Sequence, residues 1–119
     1  MKTIALIVAA GRGKRFDSEK PKQYQYLGSK AVLTHSLESM INHPLINEVR
    51  VIIHPEDMSL YNEVTEGLDL LDPVFGGKTR QESVLSGLES IKARKPEIVI
   101  IHDAARPFVT DEMISSAIE

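Results

Sequence analysis

The sequence predicts an α/β domain with a mostly parallel sheet and helices on both faces. Three observations carry this expectation. Short β-branched apolar runs alternate with segments of helical period, the runs are apolar on both faces, and basic loops follow three of them, two of these loops bearing glycine pairs. In such sheets ligands bind beyond the carboxyl ends of the strands, so those loops are expected to converge on one site.

The first strand is expected at residues 3–8, where Ile4-Ala5-Leu6-Ile7-Val8 is continuously apolar. Ala31–Asn42 places Val32, Leu33, Leu37, Met40 and Ile41 on one helical face, and Val49-Arg50-Val51-Ile52-Ile53 is again strand-like. A second helix is expected to start at Pro55, since Pro suits the first helical position and Glu56 and Asp57 suit the positive end of the helix dipole. Met58, Tyr61 and Leu68 supply its apolar stripe. Val74-Phe75 reads as a short strand, with Pro73 arguing for a sheet edge or strand start.

Thr79-Arg80-Gln81-Glu82 matches the capping box, and Val84, Leu85, Leu88 and Ile91 continue at helical spacing. Ile98-Val99-Ile100-Ile101 is apolar on both faces, as a central parallel strand should be. Thr110 then caps a helix carrying Met113, Ile114, Ala117 and Ile118, which reaches Glu119 without a Gly or Asn terminator. That ending is expected of the front part of a larger domain.

The chain has 119 residues, enough for one domain, and its 42% hydrophobic and 26% charged content is that of a globular protein. Cys is absent, which excludes disulfides, thiolate zinc sites and a Cys nucleophile, and His35, His43, His54 and His102 lack metal-ligand spacing. The apolar start runs into Arg12, Lys14 and Arg15 rather than a signal-cleavage site, and no apolar run approaches the roughly 20 residues that span a bilayer. A cytoplasmic location and no membrane partner are expected.

Eight of the 14 Lys/Arg residues (Arg12, Lys14, Arg15, Lys20, Lys22, Lys78, Arg80, Arg106) lie in segments 11–22, 76–80 and 102–107, against three acids, Asp17, Glu19 and Asp103. Those segments carry +5 in a chain of net charge −3, leaving −8 elsewhere. Cations gathered into a few loops of an acidic protein suit a compact polyanion rather than a nucleic-acid backbone.

The loop Ala9-Ala10-Gly11-Arg12-Gly13-Lys14-Arg15-Phe16 is the focus of that charge. Gly lets backbone N–H groups approach an anion, and Arg and Lys neutralise it. The P-loop pattern fails, because one residue separates Gly11 from Gly13 and Arg15 follows Lys14 where Ser/Thr is needed. The dinucleotide fingerprint also fails, with Phe16 at the third glycine and His54-Pro55 after the second long strand in place of an acid.

Four motifs taken in order resemble the 2-C-methyl-D-erythritol 4-phosphate cytidylyltransferase family, nucleotidyltransferases of Rossmann-like fold. They are Ala9-Ala10-Gly11-x-Gly13-x-Arg15, Pro21-Lys22-Gln23-Tyr24, Gly76-Gly77-x-x-Arg80-x-x-Ser83-Val84 and His102-Asp103-Ala104-Ala105-Arg106-Pro107. Ala10 and Ala105 side with this family rather than with ribitol 5-phosphate cytidylyltransferases, which favour Gly and Val there. Leu70–Val84 further resembles the bifunctional version, fused to a cyclodiphosphate synthase. Ribitol 5-phosphate or another sugar phosphate as acceptor, and a non-catalytic nucleotide-binding fragment, stay open as alternatives.

The resemblance implies transfer of CMP from CTP to methylerythritol phosphate, with Arg15 and Lys22 as the transition-state-stabilising pair. Ala9, Ala10, Gly11, Arg12, Gly13 and Lys14 would cradle the triphosphate, and Gly76, Gly77 and Ser83 would read cytosine, with Arg80 supporting their loop. Asp103, Ala104 and Arg106 would complete the nucleotide site; Asp103 would bind an acceptor hydroxyl, help position Mg²⁺, or pair simply with Arg106. His102 is read as a packed strand-end residue, and Lys14 and Lys20 alternatively as partners of Asp17 and Glu19. No protein metal cluster is expected, Mg²⁺ being held mainly through CTP phosphates. The family's acceptor-positioning Thr, Arg and Lys, and its dimerisation arm, lie in its second half, so a homodimer is expected of the full-length enzyme.

Overall fold

The computed structural model describes residues 2–11 and 21–105. Arg12, Gly13, Lys14, Arg15, Lys20 and Arg106, and the helix expected after Thr110, lie outside the described residues. In chain order the elements are β1 (Thr3–Ala9), β2 (Tyr26–Leu27), β3 (Lys30–Ala31), α1 (Val32–Ile41), β4 (Glu48–Ile53), α2 (Met58–Thr65), β5 (Val74–Phe75), α3 (Arg80–Ile91) and β6 (Ile98–Asp103).

Four strands form one sheet in the order β5-β4-β1-β6, and every pairing in it is parallel. The register sets Ile7 opposite Val51 on one side and His102 on the other. β2 and β3 form a separate antiparallel pair across Gly28-Ser29, with Gly28 at φ +76°.

β1 is buried along its whole length, and its alternation divides the core between the two faces of the sheet. Ala5, Ile7 and Ala9 pack with Leu33, Leu37, Met40, Tyr61 and Val64 of α1 and α2. Ile4, Leu6, Val8 and Ala10 face the other way and pack with Ile52 and with Ile91 of α3. Helices therefore cover both faces, as the sequence predicts.

The contact face of α3 differs from its expected stripe. Leu85 is 58% and Leu88 38% exposed, whereas Ser83, Gly87 and Ile91 are buried. A Cβ at Gly87 would come within 2.5 Å of Ile52 Cδ1 and 3.2 Å of Leu6 Cδ1. Small residues, not large apolar ones, let this helix lie close against the sheet.

The second helix is also shorter than expected. Pro55–Asp57 forms a 3-10 turn, α2 follows and ends at Thr65, and Leu68 packs from the loop beyond Gly67, whose φ is +82°. β6 runs on to Asp103 but is an outer strand among the described residues, with Ile101 39% exposed. The central positions belong to β1 and β4. β5 lies at the other edge, where Pro73 places it.

Candidate functional site

The chain passes from β1 to β4 and β5 on one side, then crosses back to β6 on the other. The order reverses between β1 and β6, so their carboxyl ends bound the crevice in which parallel α/β sheets bind ligands. Ala9-Ala10-Gly11 leaves β1 there, and Asp103-Ala104 ends β6 beside it, with Ala104 N–H donating to Val8 O at 3.0 Å. Ser36 of α1, fully buried, donates its hydroxyl to Ala104 O at 3.4 Å. The fourth motif is thus anchored from β1 and from α1.

The Gly76-Gly77 loop reaches the same crevice from β5. Gly76 N–H donates to Ile53 O at 2.8 Å, extending the sheet ladder by one residue. A Cβ on Gly76 would lie 2.4 Å from Ser83 Oγ and 2.6 Å from Ala10 Cβ, so the end of β1, this loop and the start of α3 touch through their smallest residues. Ser83 is buried, and its oxygen accepts the Gly77 N–H at 3.1 Å. It therefore shapes the loop while its hydroxyl keeps a proton to donate.

The capping box forms as the sequence predicts, with Glu82 N–H donating to Thr79 Oγ1 and Thr79 N–H to Glu82 Oε2, each at 3.1 Å. This cap aims Arg80, whose Nε donates to Asp103 Oδ1 at 3.2 Å. Asp103 thus pairs with Arg80, and the alternative pairing with Arg106 lies outside the described residues. The second and third loops are joined by this pair.

Lys22 is exposed at the head of a 3-10 turn, Lys22–Tyr24. Its neighbour Gln23 is buried and donates its side-chain amide to Ala9 O at 2.9 Å and Gly11 O at 3.0 Å. Motif matching gives Gln23 no role, and no local signal would, because its partners lie 12 and 14 residues away. Of the expected site residues, Ala9, Ala10, Gly11, Lys22, Gly76, Gly77, Ser83, Asp103 and Ala104 gather at this end of the sheet.

No group of three or more His, Asp or Glu among the described residues could hold a metal ion. Asp103 supplies one carboxylate at the crevice. A Mg²⁺ that keeps most of its waters and takes phosphate oxygens fits such a sparse donor set. No helix among the described residues is long and apolar enough to cross a membrane.

The family model for 2-C-methyl-D-erythritol 4-phosphate cytidylyltransferase, IspD, matches residues 3–119. The chain belongs to this family. Bifunctional IspD/IspF enzymes of Paramagnetospirillum magneticum and Rhodospirillum rubrum are 50% and 52% identical to it, each over 98% of this chain and over 30% and 31% of their own. A solved 4-diphosphocytidyl-2C-methyl-D-erythritol synthase superposes with TM-score 0.80 at 32% identity, over 97% of this chain and 52% of that one. The Francisella tularensis cytidylyltransferase does so with TM-score 0.73 at 34% identity, over 97% and 49%.

The chain thus spans about three-tenths of the length of these curated relatives and about half of these solved synthases. Its sheet of parallel strands covered by helices is the IspD nucleotidyltransferase fold.

Proposed function

We propose that residues 1–119 form the N-terminal, CTP-binding part of a cytidylyltransferase domain. Its reaction is transfer of CMP from CTP to 2-C-methyl-D-erythritol 4-phosphate, giving 4-diphosphocytidyl-2-C-methyl-D-erythritol and pyrophosphate in isoprenoid precursor biosynthesis. The observation that carries this reading is the meeting of Ala10, Gly76 and Ser83, with Arg80 on Asp103, at the carboxyl ends of strands whose loops bear the family's motifs.

An oxygen of the acceptor phosphate forms a bond to the α-phosphorus while the bond from that phosphorus to the bridging oxygen breaks, and pyrophosphate leaves with the electron pair. The nucleophile is already an anion, so no general base is required. The protein's share is alignment and stabilisation of charge on the α-phosphate oxygens. Lys22 and Arg15 are assigned that stabilisation. Ala9, Ala10, Gly11, Arg12, Gly13 and Lys14 are assigned the triphosphate, Gly76, Gly77 and Ser83 the cytosine, and Asp103, Ala104 and Arg106 the remaining nucleotide contacts. Mg²⁺, held mainly through CTP phosphates, supplies charge compensation.

The setting inferred for this activity is the cytoplasm, with a homodimer as the full-length form. Titration with CTP, UTP, ATP and NAD at fixed Mg²⁺, joined to a pyrophosphate-release assay with each acceptor phosphate, tests the assignment. CTP preference supports it and NAD preference overturns it. Release with ribitol 5-phosphate alone moves it to the sister activity. The 119 residues alone are expected to bind CTP weakly and turn over poorly, and CTP binding with no turnover in any longer form would leave a nucleotide-binding module.

A further inference from the structure

Gln23 is 6% exposed, and its side-chain nitrogen meets two backbone carbonyls, Ala9 O at 2.9 Å and Gly11 O at 3.0 Å. Both partners are acceptors, so the NH₂ end of the amide must face them, one proton to each. Ala9 is the last residue of β1, and Gly11 is the first glycine of the loop beyond it. Lys22 precedes Gln23 in the same 3-10 turn, which is secured by the fully buried Tyr24 and by Tyr24 N–H donating to Pro21 O at 2.9 Å. One amide therefore joins the strand end that opens the glycine loop to the turn that carries Lys22.

We propose that Gln23 is a positioning residue for the triphosphate, holding the start of the glycine loop and the Lys22 turn in one arrangement. The proposal rests on the CTP assignment. Two physical effects follow from the geometry. Carbonyl oxygens carry partial negative charge, and the amide engages two of them at the mouth of a site that must receive a polyanion. A trans peptide also points its N–H away from its C=O, so holding Ala9 O turns the Ala10 N–H to the side opposite Gln23. Methionine at position 23 would keep the length of the side chain and lose both donors. Glutamate would set a carboxylate against two carbonyls.

The experiment compares CTP and CMP affinity at fixed Mg²⁺ for the wild-type chain and for Gln23→Met, with thermal melting alongside. Gln23→Met is expected to weaken CTP about tenfold or more. CMP, which lacks the β- and γ-phosphates, is expected to change less than about threefold. Equal losses for the two nucleotides, or no loss, overturn the positioning role while leaving the CTP assignment intact. A wild-type chain that fails to bind CTP overturns that assignment and this proposal with it. Should Gln23→Met not fold, the side-chain amide protons of Gln23 in wild-type protein give the answer by NMR. They are expected to shift on addition of CTP and not of CMP, and absence of that difference overturns the proposal.

Discussion

Arg80 and Asp103 meet at 3.2 Å although β5, which leads into Arg80's helix, and β6, which ends at Asp103, lie on opposite sides of the two central strands. Arg80 opens the helix that follows β5 at one edge, and Asp103 ends β6 at the other. The side chains are 60% and 40% exposed, so solvent screening holds the pair's contribution to stability to about 1 kcal/mol or less. Its consequence is geometric: it ties the start of the helix after the Gly76-Gly77 loop to the end of the strand beside the glycine loop.

Arg80→Ala and Asp103→Asn are accordingly expected to lower folding stability by no more than about 1 kcal/mol. Each is expected to weaken CTP severalfold, and the double variant to fall short of the product of the two losses. Denaturant melts and CTP titration of the three variants check this. Independent, multiplying losses in CTP affinity would show that the two side chains do not act as one unit.

Gly76→Ala sets a methyl group against Ser83 Oγ and Ala10 Cβ, neither of which can swing away as the end of a long side chain would. Overpacking of this kind costs about 1–3 kcal/mol. The variant is expected to fold with reduced stability and to lose CTP binding beyond what that reduction explains. Gly76→Ala combined with Ser83→Ala removes one of the two clashes and is expected to recover part of the stability. Failure of the second substitution to recover any would mean that contact with Ala10 Cβ and Ser83 Cβ, together with the lost acceptor of the Gly77 N–H, outweighs the relief at Oγ.

Much of this site was legible in residue order because local chemistry carries it. Thr79 and Glu82 name their own helix start, and Pro73 marks its strand as an edge. The misjudged face of α3 has the opposite origin. A stripe of large apolar residues picks out Leu85 and Leu88, but close approach to Ile52 and Leu6 selects Gly87, which apolar periodicity cannot weigh. The β2–β3 hairpin did have a signal, Gly28-Ser29 between two short runs. Gln23 and Ser36 had none, since each acts on a carbonyl distant in sequence.

Tyr61 is buried, and that burial, opposed by a hydrogen bond with Thr65 and reinforced by the Asp72 carboxylate, pushes its phenol up to about 12. A folded-state pKa above the unfolded value of 10.0 adds stability that is present below pH 10 and lost as pH rises towards 12. Tyr61→Phe is expected to lack this alkaline loss, so the two stability curves should converge or cross over that window. A constant difference between pH 9 and 12 in urea melts, on the order of the scatter, would show that Tyr61 does not titrate differently on unfolding.

At the far end of the sheet Glu48 receives Arg94 Nε at 3.0 Å on Oε1, Arg94 Nη2 on Oε2, and Lys2 Nζ at 3.0 Å. The Arg94 hydrogen bonds chiefly, with Lys2 helping and burial opposing, hold the Glu48 carboxyl down at about 2. A depressed folded-state pKa adds stability that is present above the unfolded value of 4.5 and is lost as pH falls from there towards 2. Lys2 and Arg94 are both more than a third exposed, so screening reduces the contribution to the order of 1 kcal/mol. Glu48→Gln should therefore be less stable than wild type by about that amount at pH 7, with the gap closing between pH 4.5 and 2 and narrowing in about 0.5 M salt. Urea melts across that pH range measure it. A gap that persists undiminished at pH 2 would mean that packing of the side chain, rather than its charge, is what β4 gains from Glu48. Because the network lies at the amino ends of the strands, CTP affinity at pH 7 is expected to be the same in both proteins.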